Sequence, residues 1–459
     1  MSSKHCLGPT SRRWFLKMGT LGLSGLSLAD VMRLRAEAGA RSVAADRSVI
    51  FVWLAGGPAH MDTYDMKPDA PEEYRGEFRP ISTNVSGMDV CELFPLHAKC
   101  ADKYTLIRSI AHKFSDHGGG SKRVMTGRIP KTPTGTKNDS PSVISIVSKM
   151  REHRDVGLPN CICVSSGSRS KVDTYAQGAA YLGMKYNYFP VGGDPGSPKF
   201  AVRNLFLNKK IEDRLDDRKQ LLSGLDRMRR DVDASGAMDA VDEFSQKAFS
   251  LMTNPRAHQA FDLSREPQAL RERYGMHAWG QRALLARRLV EAGSSFVTVT
   301  MENPNMPGAF YNWDSHAVNT HIWRDSRARF PIYDQAISAL VEDLHDRGLT
   351  KKVLLVVTGE FGRSPRISQS QKKDGIQPGR EHWPGAMSVL VCGGGMQHGQ
   401  VIGSTNDKGE RPHDRPLTPN DLWATVYKHL GIDQNATIND YAGRPQSLLP
   451  FGEPIRELT

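Results

Sequence analysis

The chain has 459 residues, 39% of them hydrophobic and 24% charged, which suits one large α/β domain with insertions and exceeds what one minimal core needs. The formal net charge is +11, but seven basic residues against two acidic ones fall within the first 45, and the remainder is too diffuse to argue for nucleic acid. What is left is an ordinary soluble protein with a modest bias toward anionic substrates or surfaces.

The first 45 residues carry an address. Ser11-Arg12-Arg13-Trp14-Phe15-Leu16-Lys17 resembles the twin-arginine export signal, and the Gly- and Leu-rich stretch from Met18 to Ala29 is too short to span a bilayer. Ala38-Gly39-Ala40 and Val43-Ala44-Ala45 suit a signal peptidase, so a mature start at residues 41 to 46 is expected, with an uncleaved anchor as the alternative. Residues 1–45 are thus read as signal and 46–459 as the working domain, periplasmic or secreted, with no later stretch apolar for long enough to cross a membrane. Five cysteines follow the signal. Cys91 and Cys100 are close enough for a loop bridge, Cys161 and Cys163 alternate on one strand face, and there is no CxxC pair to hold structural zinc.

Ser48 to Leu54 predicts a fully buried strand, closed by Ala55-Gly56-Gly57-Pro58. Asp62 and Asp65 come directly after it. Carboxylates past a buried strand and a glycine turn are placed to take a cation; an Asx turn or helix cap is the plainer reading. Leu93 to Cys100 predicts a short helix and Tyr104 to Ile110 a second strand. Then come His112, Ser115-Asp116-His117 and the triplet Gly118-Gly119-Gly120, opening a helix through Met125. A strand, a polar turn and a helix N-terminus together favour an anion, because free amides and the helix dipole both point there; the triplet could equally serve close packing.

Ser140 to Arg151 reads as a helix, Leu158 to Ser165 as a strand, and residues 166 to 204 as a loop able to close over a site. From about 205 to 292 the pattern is helical and highly charged, including Gln281 to Leu289, and is read as an insertion or lid with a solvated face. Ser295 to Met301 restores strand character, and Asn312-Trp313-Asp314-Ser315-His316 follows, an acid and an imidazole two apart that can face one cation. Pro331 to Arg347 predicts an amphipathic helix.

The apolar run Val353 to Val357 stops at Thr358-Gly359-Glu360, delivering a carboxylate to the carboxyl end of a buried strand, where open α/β sheets bind ligands. Arg363 lies just beyond. Gly379-Arg380-Glu381-His382-Trp383 then sets an imidazole in a loop before a second apolar run, Met387 to Cys392. Thr418 to Leu430 is a final helix, with Pro419 in its first turn.

The order of these groups resembles the alkaline phosphatase and sulfatase superfamily. More closely, the phrases GGPAHMDTYDMKP, NWDSH, TGEFGRSP, GREHWP and VCGGGMQHGQVIG resemble the secreted bacterial family called domain of unknown function 1501, over nearly all the mature chain. The resemblance implies a mostly parallel sheet sandwiched by helices, alkaline phosphatase-like, with a helical insertion. It implies metal ligands at Asp62, Asp314, His316, Glu360 and His382, joined by Asp65 from its place after the first strand, for a divalent ion such as Zn, Ca or Mg. Phe361 stands where two-metal phosphatases place a histidine, and Asp116-His117-Gly118 where the superfamily carries its Ser, Thr or Cys nucleophile.

The expected activity is hydrolysis of phosphate or sulfate esters, small or polysaccharide. Metal-activated water or His117 itself is the attacking group, His117 either attacking directly or deprotonating a water, with Ser115 a weaker candidate nucleophile, Asp116 beside them, and Arg363 or Arg380 neutralising developing charge. A non-catalytic metal- or glycan-binding protein on a degenerate fold, with Ala59, Gly118 and Phe361 in its favour, and a surface interaction protein are the other readings.

Overall fold

In the computed structural model, residues 46–135, 138–166, 176–202 and 254–458 are described. The export signal and most of the charged 205–292 stretch therefore lie outside the described residues. Eight strands form the central sheet: β1 (Ser48–Trp53), β2 (Tyr104–Ile110), β3 (Cys161–Ser165), β4 (Phe189–Gly192), β5 (Phe296–Thr300), β6 (Val353–Thr358), β7 (Met387–Gly393) and β8 (Gln400–Ile402). Their order is β8-β2-β7-β6-β1-β5-β3-β4. β1 pairs in parallel with β5 and with β6, while β7 runs antiparallel to both its neighbours, β6 and β2. The sheet is thus mostly parallel, with one reversed strand inside it.

The central strands are continuous apolar runs because helices cover both faces. Along β1, Ile50 and Val52 join one core while Val49, Phe51 and Trp53 join the other, as a two-residue side-chain period requires. The principal helices are α1 (His117–Thr126), α2 (Val143–Met150), α3 (Ala278–Glu291), α4 (Ile322–Asp346) and α5 (Pro419–Leu430). α3 and α4 supply Leu285, Leu289, Ile337 and Leu340 to the first core; α1, α2 and α5 supply Val124, Ile146 and Trp423 to the second. Thr418 caps α5 in a reciprocal box with Asp421, whose carboxylate accepts from the Thr418 amide at 2.8 Å.

Four expectations change. The Gln281 to Leu289 segment is a core helix: Arg282 donates to the carbonyls of Gly193, Thr300 and Glu302, and Arg287 is enclosed by Glu266, Glu291 and Asp343 at 2.7–2.9 Å. Its charges are paired internally rather than solvated. The 166–204 stretch contains the edge strand β4, whose Pro190 is tolerated because an edge leaves one side of the ladder unpaired. α4 begins nine residues before Pro331, which sits inside the helix rather than at its start. Cys91 and Cys100 are both free and buried, so no bridge closes that loop.

Candidate metal centre

The carboxyl ends of β1, β2, β5 and β6 lie at one edge of the sheet, and the reversed β7 starts there. That edge therefore receives Gly56 after β1, His117 after β2, Asp314 after β5, Glu360 after β6, and His382 just before β7.

His117 Nε2 lies 3.3 Å from Asp314 Oδ2, and His382 Nε2 lies 3.1 Å both from Asp314 Oδ1 and from His117 Nε2. These three residues offer ligand atoms within 4.8 Å of one another, a group that could hold a metal ion. His316 adjoins them, its Nε2 at 3.0 Å from Asp314 Oδ1 and 2.9 Å from His382 Nε2.

The outer nitrogens fix the tautomers. His117 Nδ1 meets Glu360 Oε1 at 2.7 Å, His382 Nδ1 meets the Ser115 carbonyl at 2.6 Å, and His316 Nδ1 meets the Glu381 carboxylate. All three partners are acceptors, so each Nδ1 carries its proton and each neutral imidazole presents an Nε2 lone pair inward. Lone pairs packed against a carboxylate this closely call for a cation among them, a metal ion or added protons. Without a metal, protons do this: burial opposes charge on His117, but Asp314 and Glu360 outweigh it and raise its pKa to about 9. For Asp314, burial favours the neutral acid, yet hydrogen bonds from His117, His316 and His382 and the Arg363 charge hold its carboxyl far below the usual range.

Glu360 is fully buried behind His117, and the Gly56 N–H donates to both its oxygens at 2.9 and 3.1 Å. Gly56 has φ +108°, and a Cβ there would stand 2.5 Å from the Asp314 amide, so this turn demands glycine. Arg363, also fully buried, donates to Asp314 Oδ1 at 2.6 Å and to the Gly57 carbonyl at 2.9 Å.

The other expected site residues are engaged elsewhere. Both oxygens of Asp62 are bound by Arg380, at 2.8 and 3.0 Å, so neither the carboxylate nor the guanidinium is offered to a ligand. Asp65 is taken by Lys67 at 3.0 Å and by the Thr405 hydroxyl. Asp116 caps α1, accepting from the Gly119 amide at 2.7 Å. Ser115 contributes its carbonyl, to His382. The glycine triplet serves close packing: a Cβ on Gly120 would fall 2.8 Å from the Phe361 ring, which is buried and touches His117 and His382 with ring centres 5.4 and 4.6 Å apart. Glu381 was missed as a site residue, although its place beside His382 in the GREHWP phrase was the available signal.

The arrangement defines an α/β protein with a His/Asp cluster at the carboxyl ends of its strands. By sequence the chain belongs to the family described as Protein of unknown function (DUF1501), whose pattern matches residues 46–459. No curated protein matches the sequence. Among solved structures, the chain is similar to alkaline phosphatase from the Antarctic bacterium TAB5, with TM-score 0.37 and 11% identity over 84% of this chain and 99% of that one. It is also similar to the PsFucS1 sulfatase from Pseudoalteromonas sp., with TM-score 0.32 and 11% identity over 84% and 68% of the two chains. A third match is Ps i-CgsB in complex with k-i-k-neocarrahexaose, with TM-score 0.36 and 12% identity over 84% and 72%.

Proposed function

We propose that this chain is an exported, metal-dependent hydrolase of phosphate or sulfate esters, acting on a small or polysaccharide ester. The observation that carries the reading is the set of imidazoles turned by their Nε2 atoms onto Asp314, each held from outside through Nδ1. His117, Asp314 and His382 would hold the ion, with His316 beside them; a nitrogen-rich set fits zinc better than calcium or magnesium, which take oxygen ligands. When bound, such an ion supplies Lewis acidity toward an ester oxygen and toward water.

The chain's own groups do the rest. His117 opens α1, so the helix's free amides and positive dipole end favour an anionic ester group there. Arg363 is committed to Asp314 and Arg380 to Asp62, so that helix end stands in place of those guanidinium groups as the source of positive charge in this reading. Water is the preferred attacking group, since His117 Nε2 already faces Asp314 and His382. Phe361 keeps one wall of the cluster apolar and limits access of bulk water.

A second reading, metal binding without hydrolysis, is favoured by one feature: the start of α1 presents Asp116 as a cap and then His117, with no hydroxyl nucleophile. The Ser11 to Lys17 phrase supports export by the twin-arginine machinery to the periplasm or beyond. Among the described residues no helix is long and apolar enough to cross a membrane.

Metal analysis of untagged protein, with hydrolysis of aryl phosphates and aryl sulfates by wild type, Asp314→Asn and His382→Ala, tests this. Bound metal and turnover are expected in the wild type and neither in the variants. Metal without turnover supports the second reading, and equal turnover in all three removes the cluster from the chemistry.

A further inference from the structure

Nine residues on from His117, α1 ends at Thr126, and the chain turns at Gly127 into a second concave region. At 1.5 Å per residue this lies about 14 Å from the cluster along the helix. A cavity of about 390 Å³ opens here, between the loop after α1 and the Asp440–Gln446 segment near the C-terminus. That volume is within the range of small-ligand sites, roughly 300–1,000 Å³.

Its lining combines two chemistries. Tyr441 is 81% exposed at the mouth, and its ring stands edge-on to that of Tyr181, with centres 6.1 Å apart and planes at 83°. Phe451, 42% exposed, adds a third ring, with Arg123 held over it. Beside these rings are the cations Arg128, Lys131 and Arg444. Arg128 is anchored through one terminal nitrogen to the Ser447 carbonyl, which fixes its place in the lining. The two acids in the lining are already occupied: Asp139 accepts from the Lys131 and Thr132 amides, and Asp440 pairs with Arg444 at 3.0 Å.

An open aromatic face suits the apolar face of a sugar ring, and the cations set beside it suit an oxyanion. We propose that this cavity binds a sugar unit carrying a sulfate or phosphate group, at a second site separate from the metal cluster. The ring stacks on Tyr441 and the anion meets Arg128 and Lys131. The site holds a chain of such units without chemistry of its own, so it does not depend on the hydrolase reading.

Calorimetric titration of the full-length protein tests it, using a sulfated galactan hexasaccharide, a phosphorylated hexasaccharide, the desulfated galactan and inorganic sulfate as probes. Binding of the sulfated or the phosphorylated chain is expected, about tenfold tighter than either control, and the stronger of the two identifies the anion. Tyr441→Ala and Lys131→Ala each weaken it about fivefold or more, with an unchanged melting temperature because both side chains are exposed. His382→Ala leaves this affinity intact even where it abolishes turnover. Absence of binding, inorganic sulfate binding as tightly as the oligosaccharides, or an affinity that falls with His382→Ala and survives Tyr441→Ala would overturn the proposal.

Discussion

Arg380 grips Asp62 with two parallel hydrogen bonds, Nε to Oδ2 at 2.8 Å and a terminal nitrogen to Oδ1 at 3.0 Å, with both side chains removed from water. The pair joins the loop after β1 to the loop before β7. Removing one partner strands the other's charge in a medium that solvates it poorly. Asp62→Asn is therefore expected to lower stability by about 3–5 kcal/mol in urea unfolding. Metal content per folded chain stays at the wild-type value; lost metal with unchanged stability would instead make Asp62 a ligand.

Glu360 and Glu381 act on the cluster from outside, through His117 Nδ1 and His316 Nδ1. Partners of this kind set tautomer and basicity, and their loss typically costs about 10–100-fold in metal affinity. Glu360→Gln is expected at the severe end of that range, because its amide would set N–H groups against either the Gly56 N–H or the His117 Nδ1–H. Glu381→Gln, at a half-exposed position where water can substitute, falls at the mild end. Competition with a chelator reads both, and equal affinities in all three proteins contradict the assignment.

Acid should weaken the fold through its buried histidines. Burial pushes His112, His277 and His429 down to about 4 from the usual 6.5. The unfolded chain then takes up these protons near pH 6.5 and the folded chain only near pH 4, so their contribution is complete above 6.5 and is lost as pH falls toward 4. Each contributes up to about 1.4 kcal/mol per pH unit inside that window. His429 is remote from the cluster and bonded to the Ser48 carbonyl at 3.0 Å, so His429→Gln isolates one share. Its plot of stability against pH should be shallower than wild type between 4 and 6.5, and an identical slope would remove His429 from the account.

The five cysteines of the working domain should be silent toward thiol reagents in the native state. None of them forms a disulfide and all are buried, and burial pushes the thiols of Cys91 and Cys100 up to about 12, leaving almost no thiolate at neutral pH. Mass spectrometry after a short exposure to a disulfide reagent should find these five unmodified, and all five labelled in denaturant. Fast labelling of either Cys91 or Cys100 in the folded protein would contradict this packing.

Much of the fold was legible because the buried strands announce themselves. β2 spans Tyr104–Ile110 and β6 covers the Val353 to Val357 run, as expected of apolar segments covered on both faces. Asp314, His316 and His382 were legible from residue type and from position at strand ends. The role of Glu360 was not, because sequence distance does not reveal whether a carboxylate stands in front of an imidazole or behind it. Nor could it reveal that Asp62 and Arg380, 318 residues apart, satisfy one another. Charge alone misled at Arg282 and Arg287, whose partners come from other elements and let a charged helix lie in the core. Pro331 misled in the other direction, since a proline is as informative about a helix start as about a tolerated interruption.

His117 and His382, whose Nε2 atoms stand 3.1 Å apart, are separated by 265 residues of chain. The reversed strand that follows His382 must insert between β2 and β6 before the two rings can meet. A nascent polypeptide still emerging from the ribosome therefore has no means of capturing an ion at this place until almost the entire domain has been synthesised. Metal uptake at this cluster would be a late checkpoint, a chemical signature that assembly has finished rather than a seed from which it starts.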